Sequence, residues 1–171
     1  MKIILTLALL FICSVSGFSQ ESLAINWPDK YGWKVLTNQE TEAMHMIELI
    51  PGTETGENWT LLGQMLSVKG VTNMSMDKAR DLMLEQTKKN SPKAKLTEIE
   101  RNESDKNPWI LFKIECPSFN DDKNPESQLW YVRQGQTSLY LNFIAIKEKK
   151  LSPEFVKEWV DIFKKSEFVQ Q

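Results

Sequence analysis

The sequence predicts an α+β fold in which two helices pack on a mostly antiparallel sheet of about six to seven strands. Three observations carry that expectation. Segments rich in branched and aromatic residues recur along the chain, bounded by polar turns. Two windows instead show apolar residues at helical spacing behind a capping residue. The resulting order, three strands, a helix, four strands and a helix, has few connections suited to parallel crossovers.

The first strand is expected over residues 31–36, after the Pro28-Asp29 turn signal, and the second over residues 42–50. In the second, Met44, Met46 and Ile50 alternate with Ala43, His45, Ile47 and Leu49, so both faces are largely apolar. That pattern suits a central strand covered on both sides, as in a sandwich of helix, sheet and helix. Residues 51–58 have loop composition, and a strand follows over residues 59–69, ended by Gly70.

A helix is expected over residues 76–89. Ser75 or Asn73 can accept the free amide protons at its start, Asp77 suits the positive end of its dipole, and Asn90 with Pro92 stops it. Met76, Ala79, Leu82, Met83 and Gln86 form its packed side, with Lys78, Arg80, Glu85 and Lys89 toward water. Strands are then expected over residues 95–100, 109–116, 128–133 and 138–146, with a hairpin connection between Arg133 and Ser138. The last helix begins at an N-cap, Ser152, with Pro153 in the first helical position, and buries Phe155, Trp159, Ile162 and Phe163.

The start of the chain is of another kind. Lys2, an apolar run from Ile3 to Cys13, and then Gly17-Phe18-Ser19 supply the basic start, short apolar core and small residues of a secretory signal peptide. Cleavage after Ser19 is expected, which divides the chain into a signal peptide, residues 1–19, and one globular domain, residues 20–171. The destination is the periplasm or the exterior. The apolar run is shorter than the about 20 residues a spanning helix needs, and no later stretch replaces it, so a soluble mature chain without a transmembrane segment is expected. Lipidation at Cys13 is disfavoured because bulky Ile12 precedes it.

Removing Lys2 from the 21 basic residues leaves 20 against 23 acidic ones, a net charge of −3. A nucleic-acid partner needs a basic face and is not expected; the cluster Lys147, Lys149 and Lys150 is broken by Glu148 and reads as a solvated strand end. Beyond the signal peptide only Cys116 remains, so no internal disulfide is expected and stability must come from a core supplied by six tryptophans and, of the eight phenylalanines in the sequence, the six that follow Ser19. Cys116 itself reads as a small buried hydrophobe at a strand end.

Linear motifs of catalysis are lacking. The single histidine, His45, lies mid-strand; no Gly-x-Ser-x-Gly elbow surrounds a serine; and Cys116 sits in Glu-Cys-Pro-Ser. No cofactor is expected. Asp121, Asp122, Asn124 and Glu126 form the best hard-oxygen cluster, but without the glycine and spacing of a calcium-binding hand they read as a solvated acidic loop.

Tryptophans supply the remaining functional signal. Trp33, Trp109 and Trp159 fall within expected elements and are assigned to the core, whereas Trp27 and Trp59 adjoin turns and are candidates for a ligand surface. The chain is therefore expected to be an exported, non-catalytic domain that binds a protein partner or a small apolar ligand, or assists an envelope assembly. The alternative is a hydrolase whose carboxylates, such as Glu48 and Glu115, converge without a linear motif.

The segments Tyr31-Gly32-Trp33-Lys34-Val35, Glu48-Leu49-Ile50-Pro51-Gly52 and Glu57-Asn58-Trp59-Thr60, with the terminal helix around Trp159, resemble a family of uncharacterised exported bacterial proteins. Their layout is similar to the α/β/α sandwich of PsbP, the extrinsic photosystem II protein. The resemblance implies that fold and transfers no functional residue.

Overall fold

A computed structural model describes residues 21–170. The expected export segment, with Lys2, Cys13 and the Ser19 cleavage point, lies outside the described residues.

The chain runs β1 (Glu21–Ala24), a 3-10 turn (Asp29–Tyr31), β2 (Lys34–Glu40), β3 (Met44–Ile50), β4 (Leu61–Lys69), α1 (Met76–Asn90), β5 (Lys95–Asn102), β6 (Trp109–Cys116), β7 (Glu126–Gln134), β8 (Ser138–Ile146), α2 (Pro153–Lys164) and β9 (Glu167–Gln170). Seven strands form one sheet in the order β2-β3-β4-β8-β7-β6-β5, and β1 with β9 forms a separate two-stranded ribbon. Every neighbouring pair is antiparallel. From β4, in mid-sheet, α1 carries the chain to β5 at the far edge, and the meander β5 to β8 returns to close against β4.

Side-chain alternation sorts the sheet into two apolar faces. On β6, Ile110, Phe112, Ile114 and Cys116 pack with Trp130 and Val132 of β7 under Met76 and Ala79 of α1. Trp109 and Leu111 point the other way and join Leu129, Tyr131 and Ile144 beneath Trp159 and Phe163 of α2. One helix thus covers each face.

Both helices start on side-chain caps, which satisfy amide protons that the first turn leaves free. Ser75 Oγ accepts from Lys78 N at 3.3 Å, and Ser152 Oγ from Phe155 N at 3.2 Å, with Pro153 in the first turn.

Several expectations require correction. Tyr31 ends the 3-10 turn, and the first long strand runs from Lys34 to Glu40, because Trp33 leaves the strand to pack edge-on against Trp27 with ring centroids 5.3 Å apart. Trp33 is accordingly half-buried rather than a core residue. The strand expected at the centre, β3, is second from the edge; only Leu49 and Ile50 are buried on it. On α1, Gln86 is exposed, and Leu84 packs on the core beside Met83 instead. β5 extends to Asn102 and β7 begins at Glu126, each beyond the expected bounds. Finally, β1 and β9 bring the strand total among the described residues to nine.

Candidate functional site

The ribbon of β1 and β9 is fastened across the α2 side of the sheet. Glu21 is buried, and its carboxylate accepts from Gln136 N at 2.9 and 3.2 Å, capping the turn between β7 and β8. Tyr140 Oη donates to Glu21 O at 2.7 Å. Burial, with the Glu21 carboxylate beside it, pushes the Tyr140 hydroxyl up to about 12, so it remains a proton donor. At the other strand, the Phe168 ring meets Tyr140 edge-on at 5.5 Å and carries the Arg133 guanidinium 4.8 Å above its centroid, while Arg133 Nη1 donates to Ser166 O.

Between this ribbon and the sheet lies a cavity of about 290 Å³. Its floor comes from three adjacent strands in register: His45, Ser67 and Tyr140 form one row, and Ile47, Met65 and Asn142 the next. Ser22, Leu23, Ile25 and Val169 roof it, and Trp27 walls one end.

Trp27 is fixed there by three contacts. Its Nε1 donates to Met65 Sδ at 3.3 Å, its ring lies 5.5 Å from that of buried Trp159, and its edge occupies the space above Gly63. At the opposite end of the floor, His45 Nε2 is 2.9 Å from Asn38 Oδ1 on β2. The cavity therefore has an apolar end and a polar end, as small-molecule sites generally do.

The two candidate tryptophans do not form one surface. Trp27 belongs to the α2 side, whereas Trp59 packs on the α1 side with Lys147 Nζ 4.6 Å over its ring. Lys147 also borders a smaller cavity of about 200 Å³ with Phe119, Pro125 and Glu126, which Trp59 does not line.

Groups that could do chemistry are dispersed. Glu48 projects from the α1 side of β3 and Glu115 from the α2 side of β6. Four strand spacings of about 4.8 Å put them roughly 19 Å apart across the sheet. Glu115 is instead a structural acceptor, taking Lys113 Nζ at 2.9 Å and Leu151 N at 3.1 Å ahead of α2. Cys116 is fully buried beneath α1, and burial pushes its thiol up, away from the reactive thiolate. In the acidic loop, Asp122 Oδ1 accepts from Asn124 N, and Glu126 stands on β7. Among the described residues no group of three or more histidine, cysteine or acidic side chains is placed to hold a metal ion.

Of the site residues, sequence reading reaches Trp27 through its place before the Pro28 turn. It misses Ser67, Tyr140 and Asn142, which come together only through strand pairing, and Ser22, which belongs to a strand too short to show a period. No protein-family model matches this sequence, and no curated protein matches it. No helix among the described residues is long and apolar enough to cross a membrane.

Proposed function

We propose that this chain is an exported, non-catalytic binding domain that holds a small apolar ligand between the β1–β9 ribbon and the sheet. The observation that carries the reading is the cavity itself: an indole wall, a roof that is aliphatic apart from Ser22, and a floor that sets Ile47 and Met65 beside polar groups offer an apolar guest a place to leave water. Glu48 and Glu115 stand on opposite faces of the sheet, and His45 and the fully buried Cys116 lie on separate strands, an arrangement that favours binding over hydrolysis. Export to the periplasm or exterior rests on the composition of residues 1–19, and one helix on each face of the sheet accords with a PsbP-like layout, a likeness of architecture and not of descent.

Titration with the neutral fluorescent probe N-phenyl-1-naphthylamine tests the site. Saturable binding is expected, weakened at least tenfold in Trp27→Ala and unchanged in Trp59→Ala. Absence of saturation, or equal loss in both variants, would overturn the assignment. Mass spectrometry of the exported protein tests the address: the first residue is expected to be Gln20.

A further inference from the structure

The distribution of charge around the cavity narrows the ligand class, on the footing that this cavity is the binding site. Among the described residues no lysine, arginine, aspartate or glutamate lines it. Charged groups close to it are already engaged: the Glu21 carboxylate, beside Tyr140, takes Gln136 N at 2.9 Å, and Glu40, opposite His45 on β2, takes Lys69 Nζ at 2.8 Å, an ion pair that holds the Glu40 carboxyl below its usual range. A charged ligand group entering here would lose its hydration without gaining a counter-ion, which is strongly unfavourable.

The polar end is nevertheless equipped for hydrogen bonding. The hydroxyls of Ser22 and Ser67 take part in no hydrogen bond among the described residues, and both border the cavity. Across the strands, Ser67 stands between His45 and Tyr140. The Tyr140 hydroxyl donates to Glu21 O and His45 Nε2 meets Asn38, so the Ser67 hydroxyl, at the middle of that row, is a donor and acceptor with no other engagement among the described residues.

We propose that the ligand is an uncharged amphipath, a short hydrocarbon bearing a hydroxyl or carbonyl group. Its chain lies against Ile25, Met65 and Trp27, and its polar group meets Ser67. A molecule of this class satisfies both ends, whereas a pure hydrocarbon leaves the Ser67 end facing an apolar surface and a fatty-acid anion places an unpaired charge there.

Displacement of bound N-phenyl-1-naphthylamine by octanol, octanoate and octylammonium, at mildly alkaline pH, compares one chain length with three head groups. Octanol is expected to displace the probe at least tenfold more effectively than either ion. In Ser67→Ala this preference should shrink while the probe binds as before. Ser67→Lys should shift the preference toward octanoate. Equal or better displacement by an ion in the native protein, or an undiminished octanol preference in Ser67→Ala, would overturn the proposal while leaving the cavity a binding site. Failure of the probe to bind would instead remove the site and this inference together.

Discussion

Gly63 and Trp27 fit together as seat and occupant: a Cβ at residue 63 would stand 2.5 Å from Trp27 Cη2. No carbon can approach an aromatic ring that closely. Glycine in the middle of β4 is thus required by packing, in a strand position where it otherwise weakens the sheet.

Gly63→Ala should therefore expel the indole from its seat. Overpacking of this kind costs about 1–3 kcal/mol, and the Trp27 hydrogen bond to Met65 should be lost with it. Urea unfolding gives the first quantity, and indole nitrogen–proton chemical shifts report the second.

Trp159 is fully buried and touches Trp27, Trp33 and Phe163, while its Nε1 has no hydrogen-bond partner among the described residues. Its contribution is packing alone. Trp159→Ala should cost about 3–5 kcal/mol, as large aromatic truncations do in cores, and Trp159→Phe should cost clearly less. Comparable losses in the two variants would mean that the indole nitrogen matters.

Glu21→Ala removes the acceptor that caps the β7–β8 turn. Hydrogen bonds to a charged group contribute about 1.5–3 kcal/mol, and Gln136 N is left partly buried without that partner. The ribbon should loosen before the sheet does. Hydrogen exchange is expected to accelerate at residues 21–24 and 167–170 while protection of β6 and β8 persists.

Burial pushes the Glu126 carboxyl above its ordinary value of 4.5, against the pull of Gln128 and Lys147. The folded state then binds the proton more tightly than the unfolded chain, so this group's contribution is present at acid pH and fades as pH climbs through the raised value. Glu126→Gln should flatten that part of the stability profile. Denaturant midpoints measured from the ordinary carboxylate range upward provide the comparison.

Much of the sheet was legible in the sequence because β6 and β8 are largely buried on both faces and read as apolar-rich runs, broken only by Lys113 and Glu115 in one and Asn142 in the other, between clear turns. α2 was equally legible, with Ser152, Pro153 and the Trp159 stripe all indicating the same boundaries. β1 and β9 were not, since four-residue strands lack a measurable period and each depends on a partner at the other end of the described chain. β3 misled for a related reason: its apolar second face lines a cavity rather than a helix contact. Trp27 could be picked out by its turn, yet the row of His45, Ser67 and Tyr140 exists only after three strands have found their register.

The pairing of Ser22 with Val169 also has a consequence in time. Val169 belongs to the cavity roof, so a nascent chain has no roofed pocket until that residue has been made, however early the sheet beneath begins to assemble. Contacts of such long sequence separation form late because the loop they close is costly to order. Capacity to hold a ligand thus arrives only once Val169 has been made, and the roofed site cannot be occupied while the earlier strands are still being synthesised.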